Sequence, residues 1–304
     1  MYRLGGKAGL YMGASDMAGG GVRPNMKYVF ITGATGGLGS AVVQALYKRG
    51  YTIFAAGTNS EKLERLGGLP GVIPVRMDVT DMSSVENARD TVRAHTDKLY
   101  AVVNLAGLTV FCSLVEGDCV AATEKLLNIN VTGMVRVNRV FFELVRAGGG
   151  RIINVSSEAG WGKSQPFAGP YYLSKRAVEA YNDSLRRELM FLGVPVVKIQ
   201  PGPFSTGLMD DILGGFEKTQ SETAYYKDIL TSMKPMMTAE LKHGSKPSKL
   251  AKVVVRALEA RRPRINYRVG TGILTAMLAL LPEGAVDTLY RLFLKRRQNR
   301  PANT

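Results

Sequence analysis

From Tyr28 onward the chain alternates short, nearly unbroken apolar runs with longer stretches whose apolar positions recur at helical spacing. The runs Tyr28–Thr32, Tyr51–Ala56, Val72–Met77, Tyr100–Asn104, Arg151–Val155, Val194–Gln200 and Arg264–Val269 read as seven strands. Runs without polar alternation suit strands covered on both faces, as in a parallel sheet. Between them, Ser40–Arg49, Met82–Arg93, Val120–Arg146 and Tyr171–Phe191 carry a helical period. The alternation predicts an α/β fold with a doubly wound, seven-stranded parallel sheet in a single domain.

Residues 1–25 are rich in Gly, Ala and Met, show no period, and read as a disordered extension. Gly5, Gly6, Gly9 and Gly13 interrupt any apolar stretch that could serve as a secretory signal. Met26 stands directly before the first strand and is the expected physiological start. The catalytic domain is expected over residues 26–270, with a basic, partly apolar extension over residues 271–304.

Composition narrows the function. The 304 residues are 45% hydrophobic, enough for a sizeable core, and no apolar run is long enough to span a bilayer. Two cysteines, Cys112 and Cys119, and two histidines, His95 and His243, leave no material for a disulfide framework, and no metal is expected. The net charge is +15, and residues 241–304 carry 14 Lys and Arg against three acids. The basicity belongs mainly to the C-terminal fifth, which has no zinc-finger spacing or RNA-recognition signature, so no nucleic acid is expected as a partner.

Two motifs carry chemistry. The first strand runs into Thr32-Gly33-Ala34-Thr35-Gly36-Gly37-Leu38-Gly39 and then a helix. Glycines there permit a tight turn and close backbone approach to a pyrophosphate, which the helix N-terminus attracts. A plain strand-to-helix turn also uses glycine, so the motif gains meaning from its place between strand and helix. Farther on, Tyr171 and Lys175 are four residues apart on one helical face, and an ammonium beside a phenol lowers the phenol's pKa. Upstream, Ser156 and Ser157 end a strand at the sheet edge where ligands bind. Taken singly, these residues fit a surface Tyr/Lys pair and a serine-rich turn equally well.

Together, in this order, they resemble the short-chain dehydrogenase/reductase family over roughly residues 26–207. Thr32-Gly33, Thr35 and Gly37-Leu38-Gly39 match the cofactor turn of this Rossmann-type fold, and Asp78-Val79 match the adenine contact. Asn104-Leu105-Ala106-Gly107 matches the segment after the fourth strand, with Leu105 where the family usually has Asn. Asn130, Ser157, Tyr171 and Lys175 match the catalytic Asn, Ser, Tyr and Lys; Pro201-Gly202 matches the Pro-Gly after the sixth strand, and Thr206 lies just beyond it. The resemblance implies hydride transfer between a nicotinamide cofactor and an alcohol or ketone. Tyr171 is then the acid/base; Lys175 lowers its pKa and holds the nicotinamide ribose. Ser157 binds the substrate oxygen and Asn130 holds a relay water.

Some positions depart from the family pattern. Ser157 precedes Tyr171 by 14 residues where about 13 is usual, which keeps Ser156 as a second candidate. Tyr172 has Arg176 as its i+4 neighbour, and arginine cannot take the lysine's role. The second strand ends in Ala55-Ala56-Gly57-Thr58-Asn59-Ser60, with neither the carboxylate of NAD-preferring relatives nor the arginine common in NADP-preferring ones. Small hydroxyls at Thr58 and Asn59's exposed backbone can bind a phosphate that no acid repels, so NADP(H) is expected over NAD(H).

The segment 204–246 is expected to form a substrate loop with short helices. Leu208, Met209, Ile212, Leu213, Phe216, Tyr225, Tyr226, Met233, Met236 and Met237 suit an adaptable apolar surface, or ordinary packing. Phe111, Trp161 and Phe167 are candidates for the same pocket. The strand at Arg264 and the segment after it look similar to the hydroxysteroid and retinol dehydrogenase branch. That implies a lipophilic secondary alcohol and ketone (steroid-, retinoid- or lipid-like) as substrate, and a homodimer or homotetramer. Ile273–Leu281 and the basic segment from Val286 to Arg297 suit either a bilayer surface or packing on the domain. The expected location is cytoplasmic, with this segment as the one able to reach a membrane. The rival functions are a non-catalytic NADP-binding sensor or scaffold and a reductase of small aldehydes or ketones.

Overall fold

The computed structural model describes residues 27–242 and 244–298; the readings for residues 1–25, Met26 and residues 299–304 lie outside the described residues. Seven strands form one sheet: β1 (Tyr28–Thr32), β2 (Thr52–Gly57), β3 (Val72–Arg76), β4 (Ala101–Asn104), β5 (Arg151–Val155), β6 (Val196–Pro201) and β7 (Asn266–Val269). Their order is β3-β2-β1-β4-β5-β6-β7, and every neighbouring pair is parallel. This is the doubly wound sheet expected from the apolar runs. The order reverses between β1 and β4, which opens a crevice at the C-terminal strand ends.

Helices α1 (Gly37–Tyr47), α2 (Ser60–Gly67), α3 (Met82–Arg93), α4 (Cys119–Leu126), α5 (Gly133–Ala147) and α6 (Gly169–Met190) connect the first six strands. The next two, α7 (Leu208–Glu222) and α8 (Lys227–Lys242), follow β6, and α9 (Pro247–Glu259) precedes β7. On one sheet face, Val29, Ile31 and Ile53 pack with Val42 and Leu46 of α1 and Leu250 and Val254 of α9. The other face is covered by α3, α5 and α6, where Phe30 stacks on Phe141 with ring centroids 4.0 Å apart. Each such fully buried side chain contributes roughly 1.5–3 kcal/mol.

Three expectations change. The helical pattern over Val120–Arg146 is not one helix: a π-helical turn, Leu127–Thr132, separates α4 from α5. Its wider winding turns the Asn130 side chain fully into the interior. The last strand is four residues long rather than six and pairs with Lys198–Pro201 of β6. The segment after β6 holds two helices of 15 and 16 residues rather than short ones. Together with Phe111 and Phe167 they enclose a separate apolar cluster of Phe216, Leu230, Met233 and Leu294. Leu294 belongs to the last helix, α11 (Glu283–Gln298), which follows the short α10 (Ile273–Leu278).

Candidate active site

The glycine turn after β1 is built for close approach. Gly33 has φ +65°, and a Cβ there would lie 2.7 Å from the Ala106 nitrogen. At Gly39 a Cβ would lie 2.1 Å from the Gly33 oxygen, so only glycine allows α1 to leave β1 this tightly. Helix α1 begins with Gly36 as its N-cap, without a side-chain capping bond or an acidic residue in the first turn. Its leading N–H groups are therefore not taken by a side chain, the condition in which a helix N-terminus can bind an anion. Thr206, from the chain after β6, sits over this end: its Cγ2 is 2.8 Å from where a Cβ on Gly37 would be. These residues fit a pyrophosphate-bearing cofactor.

The other expected cofactor residues line the same edge in different ways. Thr35 Oγ1 packs 2.9 Å from the position of a Cβ on Gly57, closing the turn against the end of β2. Beyond it Thr58 and Asn59 are exposed, and the Asn59 side chain accepts from Lys62 N, capping α2. Asp78 is exposed, its carboxylate accepting from Thr80 N and Oγ1 at 2.8 and 2.7 Å, while Val79 is buried against Gly133. Thr32 is buried and its Oγ1 accepts from Leu105 N and Ala106 N, both at 3.1 Å, so it shapes the exit of β4. Leu38 and Leu105 are partly buried against the α1/α9 core. Pro201 ends β6, and a Cβ on Gly202 would meet Gly270 O at 2.5 Å.

The four expected catalytic residues converge. Ser157 caps a short 3₁₀ turn, Glu158–Gly160, its Oγ accepting from Ala159 N at 3.2 Å, and its hydroxyl acts on the Tyr171 phenol, drawing the phenol's pKa down. Ser156, the second candidate, makes no hydrogen bond through its hydroxyl among the described residues. Lys175 is buried, with Nζ 5.8 Å from the Tyr171 ring centroid and 3.4 Å from Val155 O. Asn130 accepts from Leu108 N at 2.8 Å and donates to Leu108 O and Ser174 Oγ at 2.9 and 3.0 Å. Gly107 lies between the two: a Cβ there would be 3.2 Å from Asn130 Oδ1 and 3.7 Å from Lys175 Nζ.

Electrostatics correct one expectation. Burial raises the Tyr171 pKa above the ordinary phenol value; the Ser157 hydrogen bond opposes this and the Glu158 carboxylate adds to it. Lys175 is buried too, and burial lowers its own pKa to about 8, with Glu179 pulling the other way. Arg176, beside the pair, donates to Gly162 O at 2.8 Å and anchors the segment after Ser157. Trp161 packs elsewhere than the Phe111/Phe167 cluster: the Arg268 guanidinium carbon is 3.9 Å from its ring centroid.

Asn104 is read from the sequence, but the partners that hold it and several other supporting residues escape that reading. Asn104 donates to Asn138 and Asn154 at 2.7 and 2.9 Å, and Asn154 donates to Asn182 at 3.1 Å, a buried amide chain joining β4, β5, α5 and α6. Glu116 accepts from Thr223 Oγ1, Ala224 N and Tyr225 N at 2.6, 2.7 and 3.3 Å and so holds the α7–α8 corner. Its only signal in the sequence is a lone acid in a loop, which names no partner.

Residues 27–214 match the model of the short chain dehydrogenase family. Retinol dehydrogenase 16 of Mus musculus is 33% identical over 278 residues, covering 86% of this chain and 87% of that one. The 17-beta-hydroxysteroid dehydrogenase type 6 of Homo sapiens is 37% identical over 186 residues, or 60% of this chain and 58% of that one. The crystal structure of a short chain dehydrogenase from Burkholderia cenocepacia J2315 in complex with NADP superposes with TM-score 0.64 at 23% identity. It covers 91% of this chain and 98% of that chain.

Proposed function

The chain belongs to the short-chain dehydrogenase family, an oxidoreductase dependent on a nicotinamide cofactor, and on this basis we propose that it interconverts a lipophilic secondary alcohol and its ketone. The convergence of Ser157, Tyr171, Lys175 and Asn130 at the C-terminal edge of the sheet carries the reading. When bound, the nicotinamide supplies or accepts the hydride. Tyr171 gives a proton to the carbonyl oxygen during reduction and takes it back during oxidation. The raised pKa keeps the phenol protonated at neutral pH, the form that the first role starts from. Ser157 stabilises the oxygen as negative charge develops, and Lys175 binds the ribose beside the phenol. Asn130, fixed by Leu108 and Ser174, holds the relay water.

Gly33, Thr35, Gly37, Leu38, Gly39 and Thr206 would hold the pyrophosphate. Thr58 and Asn59, exposed at the end of β2 without a carboxylate, support NADP(H) over NAD(H). The Phe111, Phe167, Phe216 and Met233 cluster under α7 and α8 supports an apolar substrate, as do the names of the retinol and hydroxysteroid relatives. No helix among the described residues is long and apolar enough to cross a membrane. Exposed Ile273, Leu274, Met277 and Leu280 on and just after α10 support contact with a bilayer surface instead. NADPH oxidation is the test, with ketosteroids, retinal and small aldehydes as substrates. Turnover of the lipophilic carbonyls is expected to exceed that of the small aldehydes; turnover of small aldehydes alone overturns the substrate class.

A further inference from the structure

Helix α6 carries more than Tyr171 and Lys175 on its inward face. Glu179 and Asp183 follow at the same four-residue spacing, so four ionisable side chains form a ladder along one stripe. Against its lower half lies β6, from which Lys198 projects. Lys198 Nζ is 2.6 Å from Glu179 Oε2 and 3.1 Å from Asp183 Oδ1, and its side chain is 5% exposed. Gln200 Nε2 donates to the same Glu179 Oε2 at 2.9 Å. The other carboxylate oxygen, Oε1, makes no hydrogen bond among the described residues. It lies beneath the segment that bears the catalytic serine: a Cβ on Gly160 would be 2.8 Å from both Glu179 Oε1 and Ser156 Oγ. The absence of a side chain at Gly160 is what lets that segment close over Glu179.

Lys175 needs a counter-charge. Its ammonium is buried, makes one long hydrogen bond to Val155 O, and forms no ion pair within 4.0 Å among the described residues. The charged groups around the ladder are Glu179 and Asp183 on α6, Lys198 on β6, and Glu158 beside Tyr171. Asp183 lies two turns away from Lys175 and pairs with Lys198. Glu179 lies one turn away, on the same face. We propose that Glu179 is a positioning residue for the catalytic site: its carboxylate, clamped by Lys198 and Gln200, is the buried counter-charge that keeps Lys175 cationic beneath Tyr171. Glu179 and Asp183 supply two carboxylates for the two lysines, while Glu158 stands on the other side, beside Tyr171. Loss of the Glu179 charge leaves two buried ammonium groups to share Asp183, and Lys175, the more loosely held, gives up its proton. Burial and Glu179 act on Lys175 in opposite directions, as this arrangement requires.

The inference rests on the role given to Lys175 above, and its test does not use turnover. Lysine labelled with ¹³C at Cε is titrated in the cofactor-free full chain, with the Lys175 signal assigned by its loss in Lys175→Met. The wild-type midpoint is expected at about 8. In Glu179→Gln it should fall by about one pH unit or more, whereas Glu179→Asp, which keeps the charge, should restore most of the difference. If the Gln variant does not fold, Lys198→Met is titrated instead: it frees the Glu179 carboxylate from its clamp and should raise the Lys175 midpoint. An unchanged Lys175 midpoint in whichever of the two variants folds overturns the proposal. The alkaline limb of the kcat pH profile should move in the same direction. A Tyr171→Phe variant with normal turnover would instead remove the catalytic reading and leave the Lys175 titration to decide the counter-charge on its own.

Discussion

The Ser157 hydroxyl and the Tyr171 phenol, 14 residues apart in sequence, are brought together between the end of β5 and the first turn of α6, where the serine draws the phenol's pKa down. On the proposed mechanism this pairing favours Ser157 over Ser156 as the group that meets the substrate oxygen together with the phenol. Tyr171→Phe keeps the ring and removes the proton, so kcat should drop by roughly 10²–10⁴-fold while NADPH affinity changes little. Steady-state kinetics with a lipophilic ketone and a fluorescence titration of NADPH check the two halves. Unaltered kcat would end the proposed mechanism.

Lys175 links the site to stability. Its pKa is lowered to about 8 from 10.5, so between these values the unfolded chain binds more protons than the folded one, and stability rises with pH. The cost of burying the charge is present in full below pH 8 and disappears above about 10.5. Lys175→Met removes that cost and should be the more stable protein at pH 7, by about 3 kcal/mol at most. Urea denaturation of both proteins between pH 7 and 10.5 should show the gap closing; a gap independent of pH contradicts this.

The proposed preference for NADP(H) rests on the exposed end of β2. Thr58→Asp introduces a carboxylate where an NADP phosphate would lie and should favour NADH. Thr58→Arg should lower the KM for NADPH. The ratio of kcat/KM for the two cofactors, measured for wild type and both variants, tests this; a wild-type ratio that favours NADH reverses the assignment.

Glu116 fastens the corner between α7 and α8. Its hydrogen bond from Thr223 and the backbone N–H groups of Ala224 and Tyr225 hold its pKa below the ordinary carboxylate value. The fastening is therefore complete above the ordinary glutamate range and is lost as pH falls through the lowered pKa. Glu116→Ala should raise the KM for a lipophilic substrate several-fold and speed proteolysis near Tyr225 at neutral pH. Substitution without effect on either would mean that the cap is held by the Phe216 cluster alone.

The apolar strip on and after α10 predicts lipid binding. Ile273 and Leu280 are 82% and 86% exposed, and Ile273→Asp/Leu280→Asp should reduce co-flotation with anionic liposomes while leaving turnover of a soluble substrate intact. Absence of co-flotation by the wild type excludes the bilayer as the partner of this strip.

Much of the architecture is legible because it is local. β1, β5 and α3 coincide with their apolar runs and helical period, since strand and helix patterns need only neighbours in sequence. The glycine turn is legible for the same reason: Gly33 and Gly39 meet within seven residues. By contrast, the π-helical turn inside Val120–Arg146 preserves the apolar pattern while shifting the phase, so periodicity conceals it.

The order of residues along the chain is enough to dictate the seven strands, the family motifs and the residue types that chemistry requires. Packing in three dimensions brings Ser157 to Tyr171, raises the phenol's pKa by burial, and joins Asn104, Asn138, Asn154 and Asn182 into one chain. It also sets Glu179 between Lys198 and the serine-bearing segment. The physical reason is range: backbone conformation follows from near neighbours, while desolvation and buried charge depend on groups that only the folded packing brings together.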